Sequence, residues 1–127
     1  MLQLATSNHP VSLARVSQNA RNVREHYRKV ETVVAAALRV PVKDLRAATR
    51  GPACVAFARQ TAMYLAHTTL GFSLSAVACA AQRDRTTVAH ACRLLEQRRD
   101  EPVVEAMLGR LEAAIAPLAG ASGERSR

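Results

Sequence analysis

Hydrophobic residues recur at steps of three and four along most of this chain, which is the spacing of one buried face on an α-helix. The first clear series begins at Val23 and ends at Leu38, before Pro41. A short helical turn is predicted over residues 42–47, followed by a loop at Gly51-Pro52. The next predicted helix covers about Cys54 to Thr69. The first half of the chain is therefore predicted to be helical.

The second half continues the same pattern with clearer boundaries. Ser73 is predicted to cap a short helix over Leu74–Ala81, and Gln82-Arg83 then forms a turn. A longer helix is expected from its cap at Asp84 to about Arg99. Pro102 begins a last helix that is expected to end at Pro117, since proline is tolerated in a first helical turn. No strand-like alternation of useful length interrupts these helices, which predicts an all-α fold.

The spacing also predicts which residues of the last two helices face the core. For the helix after Asp84 these are Val88, Ala91, Cys92 and Leu95. For the last helix they are Val103, Met107, Leu111, Ala114 and Ile115. The apolar faces of the first and last helices fit two alternatives, pairing between chains or completion of the core of a monomer.

Length and composition predict one small domain. The chain has 127 residues, of which 49% are hydrophobic, but it contains only two Tyr and two Phe. Its core must therefore be built from Ala, Val and Leu. We expect residues 1–20 to be a tail or a short helix, residues 21–119 to form the domain, and residues 120–127 to be a disordered tail.

A strong excess of positive charge favours an anionic partner. Eighteen Lys and Arg against ten Asp and Glu give a formal net charge of +8, and the isoelectric point is near 10.7. Ribosomal, membrane-surface and DNA-binding proteins all share this property, so charge alone does not choose among them.

The cysteines and the apolar runs exclude several classes of protein. Cys54, Cys79 and Cys92 are odd in number and far apart, which argues against a disulfide framework and a zinc site. No apolar run approaches the roughly 20 residues that span a bilayer, and the N-terminus does not have the pattern of a signal peptide. We predict a cytoplasmic protein with no metal, no cofactor and no membrane partner.

Polar and positively charged side chains are concentrated on the helix that follows Asp84. A short helix, a tight turn and a longer helix with a polar face form the helix-turn-helix arrangement, whose second helix enters the major groove of DNA. Thr86, His90, Arg93 and Gln97 are four, three and four residues apart and so lie on one face. Residues 83–99 contain five Arg against two acidic residues, a net charge of +3.

Three segments resemble the C-terminal DNA-binding domain of the bacterial replication initiator DnaA. They are Arg59-Gln60-Thr61-Ala62-Met63-Tyr64-Leu65, Ser73-Leu74, and Arg83-Asp84-Arg85-Thr86-Thr87-Val88 with His90-Ala91-Cys92-Arg93. The similarity covers roughly residues 23–116. It implies a small, Trp-repressor-like helical domain with a central helix-turn-helix, which recognises a short duplex motif, the DnaA box. The sequence has no G-x-x-x-x-G-K-[ST] motif, so we expect the DNA-binding part without the family's ATPase and without a bound nucleotide.

The resemblance also implies a role for individual residues. Contacts to base edges are implied for Asp84, Arg85 and Thr86, and apolar contacts to thymine methyl groups for Ser75 and Ala89. Phosphate contacts are implied for Thr87, His90, Arg59 and Gln60. We add Arg83, Arg93 and Arg50 to the phosphate-contacting set from their charge and position.

Three departures from the family pattern bear on specificity. Arg85 stands where the family has histidine, and arginine most often pairs with guanine. Ala81-Gln82 replaces a Gly-Gly turn, which predicts a different turn geometry. Residues 51–57 are nearly uncharged where the family has a basic loop that enters the minor groove, and Arg50 is the nearest candidate for that contact.

The leading hypothesis is therefore a non-enzymatic, sequence-specific, double-stranded DNA-binding protein of transcription or replication control, associated with the nucleoid. The alternative is a protein-interaction module that kept the fold and lost or weakened DNA binding. A homodimer, or a partner from the replication or transcription machinery, fits either. An enzyme is a weak third hypothesis because the sequence offers no phosphate loop, metal cluster or nucleophile–base set.

Overall fold

The hydrophobic series of the sequence fold into helices. The computed structural model describes the backbone of residues 10–122 and the side chains of residues 18–119. Within that range the chain forms helices and no strands, as predicted. The helices are α1 (Pro10–Leu38), α2 (Val42–Arg46), α3 (Ala53–Thr68), α4 (Leu74–Ala81), α5 (Arg85–Arg98) and α6 (Pro102–Ser122).

The third helix is the centre of the fold. It packs against α1, α2, α4 and α5, and it is buried on most of its circumference. Small residues at Ala58, Ala62 and Ala66 are fully or almost fully buried, which lets neighbouring helices approach its backbone closely. Ten of its residues are buried in all: Val55, Ala56, Ala58, Arg59, Thr61, Ala62, Met63, Tyr64, Leu65 and Ala66.

The first and last helices pack on each other within the chain. Leu108, Leu111 and Ile115 of α6 join the same buried cluster as Val30 and Val34 of α1. Of the two alternatives left open by the sequence, the structure shows that these faces complete the core of the monomer, and pairing between chains stays a prediction.

The predicted inner face of α6 was wrong by one position at its start. Val103 is 80% exposed, whereas Val104 is buried, and Ala114 is exposed. Two adjacent valines fit two registers of the same 3.6-residue period, and spacing alone does not choose between them. The choice is made by packing into the core, which buries the stripe that begins at Val104 and continues through Leu108, Leu111 and Ile115.

The structure extends both terminal helices beyond their predicted ends. The first helix begins at Pro10 and passes through residues 20–21 without a break. The last continues past Pro117 to Ser122. Pro117 has no N–H and so cannot donate to the carbonyl oxygen of Ala113. Ala113 and Pro117 are both exposed, so water can donate a hydrogen bond to that oxygen instead. Residues 1–9 and 123–127 lie outside the described range, and the domain limits stay a prediction.

Arg99 joins three helices at the end of α5. It donates from Nη1 to the hydroxyl of Tyr64 on α3 at 3.0 Å and to Oε2 of Glu112 on α6 at 2.8 Å. Its Nε donates to Oε1 of Glu105 at 2.6 Å. These hydrogen bonds, foremost those that Arg99 donates to Glu105, raise the pKa of Arg99. The C-terminal end of α5 is thereby fixed to α3 and α6.

The turn between α4 and α5 contains a non-glycine residue in the left-handed region. Gln82 has φ 58° and ψ 48°. The N–H of Arg83 donates to the carbonyl of Ala78 at 3.0 Å and that of Gln82 to the carbonyl of Cys79 at 3.3 Å, which is the Schellman pattern. Gln82 thus occupies the left-handed position that glycine usually fills. Because it has a Cβ, this conformation costs about 1 kcal/mol of stability.

Replacement of Arg99 by alanine should lower the free energy of unfolding by about 1–2 kcal/mol, because several charge-assisted hydrogen bonds between helices are lost together. Urea unfolding followed by circular dichroism measures this change. Arg110→Ala is the matched control, since Arg110 is exposed on α6 and has no ion pair among the described residues. Equal effects of the two substitutions would contradict the assigned role of Arg99.

Gln82→Gly should stabilise the protein by about 1 kcal/mol, because glycine adopts the left-handed conformation without steric cost. Gln82→Ala removes the same side chain but keeps the Cβ, so it should give no such gain. Thermal unfolding of the two variants separates the backbone effect from loss of the side chain. A gain with alanine as large as that with glycine would show that strain at this position is not the cause.

Candidate nucleic-acid interface

The first helix of the helix-turn-helix is fixed by its cap and its buried face. Ser73 occupies the N-cap position of α4, as predicted, and its Oγ accepts a hydrogen bond from the N–H of Ala76 at 3.0 Å. Val77 and Ala78 are buried against the core. Ser75 lies on the opposite side and is exposed. The helix thus presents the side chain of Ser75 to the surface beside α5.

The second helix of the motif separates an apolar face from a polar face. Val88, Ala91 and Leu95 are buried, and Cys92 is half-buried. This agrees with the predicted inner stripe. The predicted polar row lies outside, and all four of its members are exposed: Thr86, His90, Arg93 and Gln97.

The N-terminal end of α5 is open to the surroundings. Asp84 occupies the N-cap position, as predicted, but its carboxylate accepts no hydrogen bond from the helix. Asp84 and the three residues of the first turn, Arg85, Thr86 and Thr87, are all exposed. The first intrahelical bond recorded there runs from the N–H of Val88 to the carbonyl of Asp84. The N–H groups of the first turn therefore have no partner within the helix.

Three more residues of the predicted site differ in their exposure. Ala89 is half-buried on α5, Gln60 is half-buried on α3, and Arg50 is exposed in the loop that connects α2 to α3. Gly51 follows with φ 72°, in the left-handed region that favours glycine. Arg50, Ser75 and the predicted residues of the first turn of α5 are thus all accessible to a partner.

Arg59 is placed differently from the other predicted site residues. Its side chain is buried at 8% exposure. It donates from Nε to the carbonyl of Leu45 at 2.9 Å and from Nη2 to the carbonyl of Asp44 at 2.8 Å. Further bonds run from Nη1 to the carbonyl of Arg50 at 3.2 Å and from Nη2 to that of Thr49 at 3.4 Å. The structure therefore gives this guanidinium protein partners, and its predicted phosphate contact stays a prediction.

Arg83 contacts the same segment as Arg59. Its Nη2 donates to the carbonyl of Ala47 at 2.9 Å and to that of Leu45 at 3.4 Å. Burial, and then the neighbouring charge of Arg83, lower the pKa of Arg59. Sequence reasoning missed this pair of contacts. The signal available to it was the short predicted helix at 42–47, which lacks a glycine at its end and leaves carbonyls that need donors.

A second polar cluster lies between α3 and α5. The Tyr64 hydroxyl donates to Oε2 of Glu96 at 2.6 Å, and burial followed by this bond raises the pKa of Tyr64. Burial, and then Glu96, also raise the pKa of the Cys92 thiol. Among the side chains that the structure describes, no group of three or more His, Cys, Asp or Glu is arranged to hold a metal ion. No described helix is both long and apolar enough to cross a membrane.

Comparison with protein families matches residues 27–94 of this chain to the helix-turn-helix of the bacterial DnaA protein. The match includes the C-terminal part of α1, all of α2, α3 and α4, and most of α5. The chain belongs to the bacterial DnaA helix-turn-helix family. The DnaA resemblance given by the sequence motifs is thus confirmed, and membership of this family supports DNA binding as the class of activity.

Individual relatives agree with this assignment. The chain is 40% identical over 65 residues to the chromosomal replication initiator protein DnaA 2 of Chlamydia trachomatis serovar D, and equally to that of Chlamydia muridarum. Each match covers 51% of this chain and only 14% of the relative. A crystal structure described as a DNA replication initiation factor superposes with a TM-score of 0.73 and 28% identity. It covers 84% of this chain, which spans 33% of that structure.

Thiol labelling tests how α5 packs in this DnaA-type domain. Cys54 and Cys79 are exposed, whereas Cys92 is half-buried and its thiol pKa is raised. We expect iodoacetamide near pH 8 to modify Cys54 and Cys79 first, because the thiolate is the reacting form. Mass spectrometry of peptides sampled over time gives the order. Labelling in denaturant should remove the difference, and fast native labelling of Cys92 would contradict this packing of α5.

Proposed function

We propose that this chain binds double-stranded DNA in a sequence-specific manner, with the N-terminal end of α5 in the major groove. The observation that carries the proposal is the open first turn of α5, which exposes Asp84, Arg85, Thr86 and Thr87 together on a DnaA-type helix-turn-helix. In such motifs the N-terminal residues of the second helix meet base edges. Its free N–H groups and its positive charge favour the approach of a polyanion.

Base choice is assigned to the residues nearest the start of α5. Arg85 can donate two parallel hydrogen bonds to O6 and N7 of guanine. Asp84 is an acceptor for the amino group of cytosine, and its negative charge makes a phosphate an unfavourable partner. Thr86 can donate to or accept from either type of base edge. Ser75 and Ala89 are assigned to thymine methyl groups beside them.

Phosphate contacts are assigned to the surrounding polar residues. Thr87, His90 and Arg93 continue along α5, and Gln60 contributes from α3. Arg50 approaches the DNA from the loop between α2 and α3. These contacts supply affinity and orientation with no direct sequence information, and they account for a dependence on salt.

We further propose that this binding acts in chromosome replication or in transcription control, in the cytoplasm where bacterial DNA lies. The replication context is supported by the chromosomal replication initiators among the relatives. Residues 51–57 contain no charged side chain, and this favours the alternative of a protein-interaction module, since a smaller basic surface weakens DNA binding. Duplex binding at low salt distinguishes the two.

Selection of bound duplexes from a random pool would identify the preferred sequence, and fluorescence anisotropy would then compare variants on selected and scrambled duplexes. Thr86→Ala should weaken binding to the selected duplex about fivefold, for a contact of about 1 kcal/mol, and change binding to the scrambled duplex little. Arg93→Ala should weaken both alike and lower the slope of log K against log salt concentration by about 0.9. Arg110→Ala on α6 is the control of equal charge change.

Two results would overturn these assignments. Equal loss on both duplexes with Thr86→Ala would remove its role in base choice. If the unmodified chain shifts no duplex at low salt, DNA binding itself is wrong, and capture of a replication or transcription protein would then support the protein-interaction module.

A further inference from the structure

The short helix α2 satisfies only part of its own C-terminal end, where the N–H of Ala47 donates to the carbonyl of Asp44 at 3.3 Å. It has five residues, Val42–Arg46, and the last four carbonyls of any α-helix have no partner within it. Its C-cap, Ala47, is extended, with ψ 148°, and no glycine closes the helix. Such a short helix is unstable alone, so this end needs donors from elsewhere in the fold.

Those donors come from two guanidinium groups on other elements. Arg59 of α3 and Arg83 of the α4–α5 turn together donate to the carbonyls of five residues: Asp44, Leu45, Ala47, Thr49 and Arg50. We call this arrangement the carbonyl clamp. Positive charge at a helix C-terminus also interacts favourably with the helix dipole. The clamp therefore defines the path of the chain from α2 to the start of α3.

Burial restricts what else Arg59 can do. A guanidinium has five N–H donors, and four hydrogen bonds to carbonyl oxygens are formed here. Taking such a charge out of water is costly unless its donors are satisfied. Moving it to an outside partner would leave the carbonyls that it now serves without a donor. The geometry favours a fixed internal role.

The clamp also links the loop to the start of α5. Arg83 immediately precedes Asp84, the N-cap of α5, and its guanidinium contacts Leu45 and Ala47. Arg50, exposed at the far end of the same loop, has its carbonyl held by Arg59. Two surfaces assigned to DNA are thus joined through one pair of side chains.

We infer that Arg59 and Arg83 are positioning residues, which hold the loop over residues 47–50 against the start of α5 and so place Arg50 for its contact with DNA. The effect of the clamp on DNA affinity rests on the proposed function. Its effect on the conformational order of the loop over residues 47–50 does not. Arg59 then contributes to DNA affinity through Arg50 and not through a contact of its own.

The test replaces Arg59 by lysine, which keeps the charge but offers one compact ammonium group that cannot span four carbonyls. In the absence of DNA, NMR relaxation should show the order parameters of residues 47–50 falling from about 0.85 to below about 0.6, with those of α5 unchanged. Arg110→Lys is the control for the same chemical change at an exposed position. Unchanged order of the loop in Arg59→Lys would overturn the clamp.

A double-mutant cycle with Arg50→Ala tests the consequence for binding. On the selected duplex, Arg59→Lys alone should reduce affinity about as much as Arg50→Ala alone, and adding it to Arg50→Ala should cost less than twofold more. Additive losses would mean that Arg59 contacts DNA directly and would overturn its positioning role. If Arg59→Lys does not fold, the same two measurements on the half-exposed Arg83→Lys decide the matter.

The two proposals fail in different ways. If the unmodified chain binds no duplex, the proposed function is wrong, and the NMR measurement alone decides whether the clamp orders the loop. If the unmodified chain binds its selected duplex and the cycle is additive, DNA binding stands and the positioning inference is wrong.

Discussion

The burial of α3 on most of its circumference is the constraint on which the rest of this structure depends. A helix surrounded by other helices must satisfy every polar side chain without bulk water. Thr61 does so locally, donating to the carbonyl of Phe57 at 2.8 Å. Arg59 and Tyr64 reach neighbouring elements instead. The hydrogen bonds of Arg59 and Tyr64 therefore link α3 to specific neighbouring elements.

Each link fixes a different part of the molecule. The Tyr64 hydroxyl of α3 hydrogen-bonds Glu96 of α5 and Arg99 at the end of α5. Arg99 in turn donates to Glu112 of α6. Through Arg59 it meets the end of α2, and α2 is also held to α1 by an ion pair of 2.8 Å between Arg46 and the buried Glu31. Polar contacts therefore join the helix-turn-helix to the rest of the fold, in addition to apolar packing. Both limit how far its two helices can move apart.

The parts of the fold that sequence could predict are those set by neighbouring residues. The cap at Ser73, the turn after α4 and the polar row on α5 each depend on residues within one or two turns of helix, and the structure contains all three. The register of α6 was not predictable in this way because Val103 and Val104 fit the same period, and only packing in the folded chain separates them.

The candidate site shows the same division. Exposure of Asp84, Arg85 and Thr86 followed from their place at the start of a helix. Burial of Arg59 did not follow, because its partners are backbone carbonyls 9 to 15 residues away that carry no side-chain signature. An arginine beside a glutamine in a sequence has the same appearance whether it faces a phosphate or the interior.

That the clamp holds carbonyl oxygens, and not side chains, has a consequence for how this surface can diverge. Every residue type brings the same carbonyl to positions 47–50, so the side chains there can be exchanged while the backbone path is retained. Ala48, Thr49 and Arg50 are all exposed. The loop is thus a place where a new chemical preference can arise by single substitutions, without the core having to adapt to it.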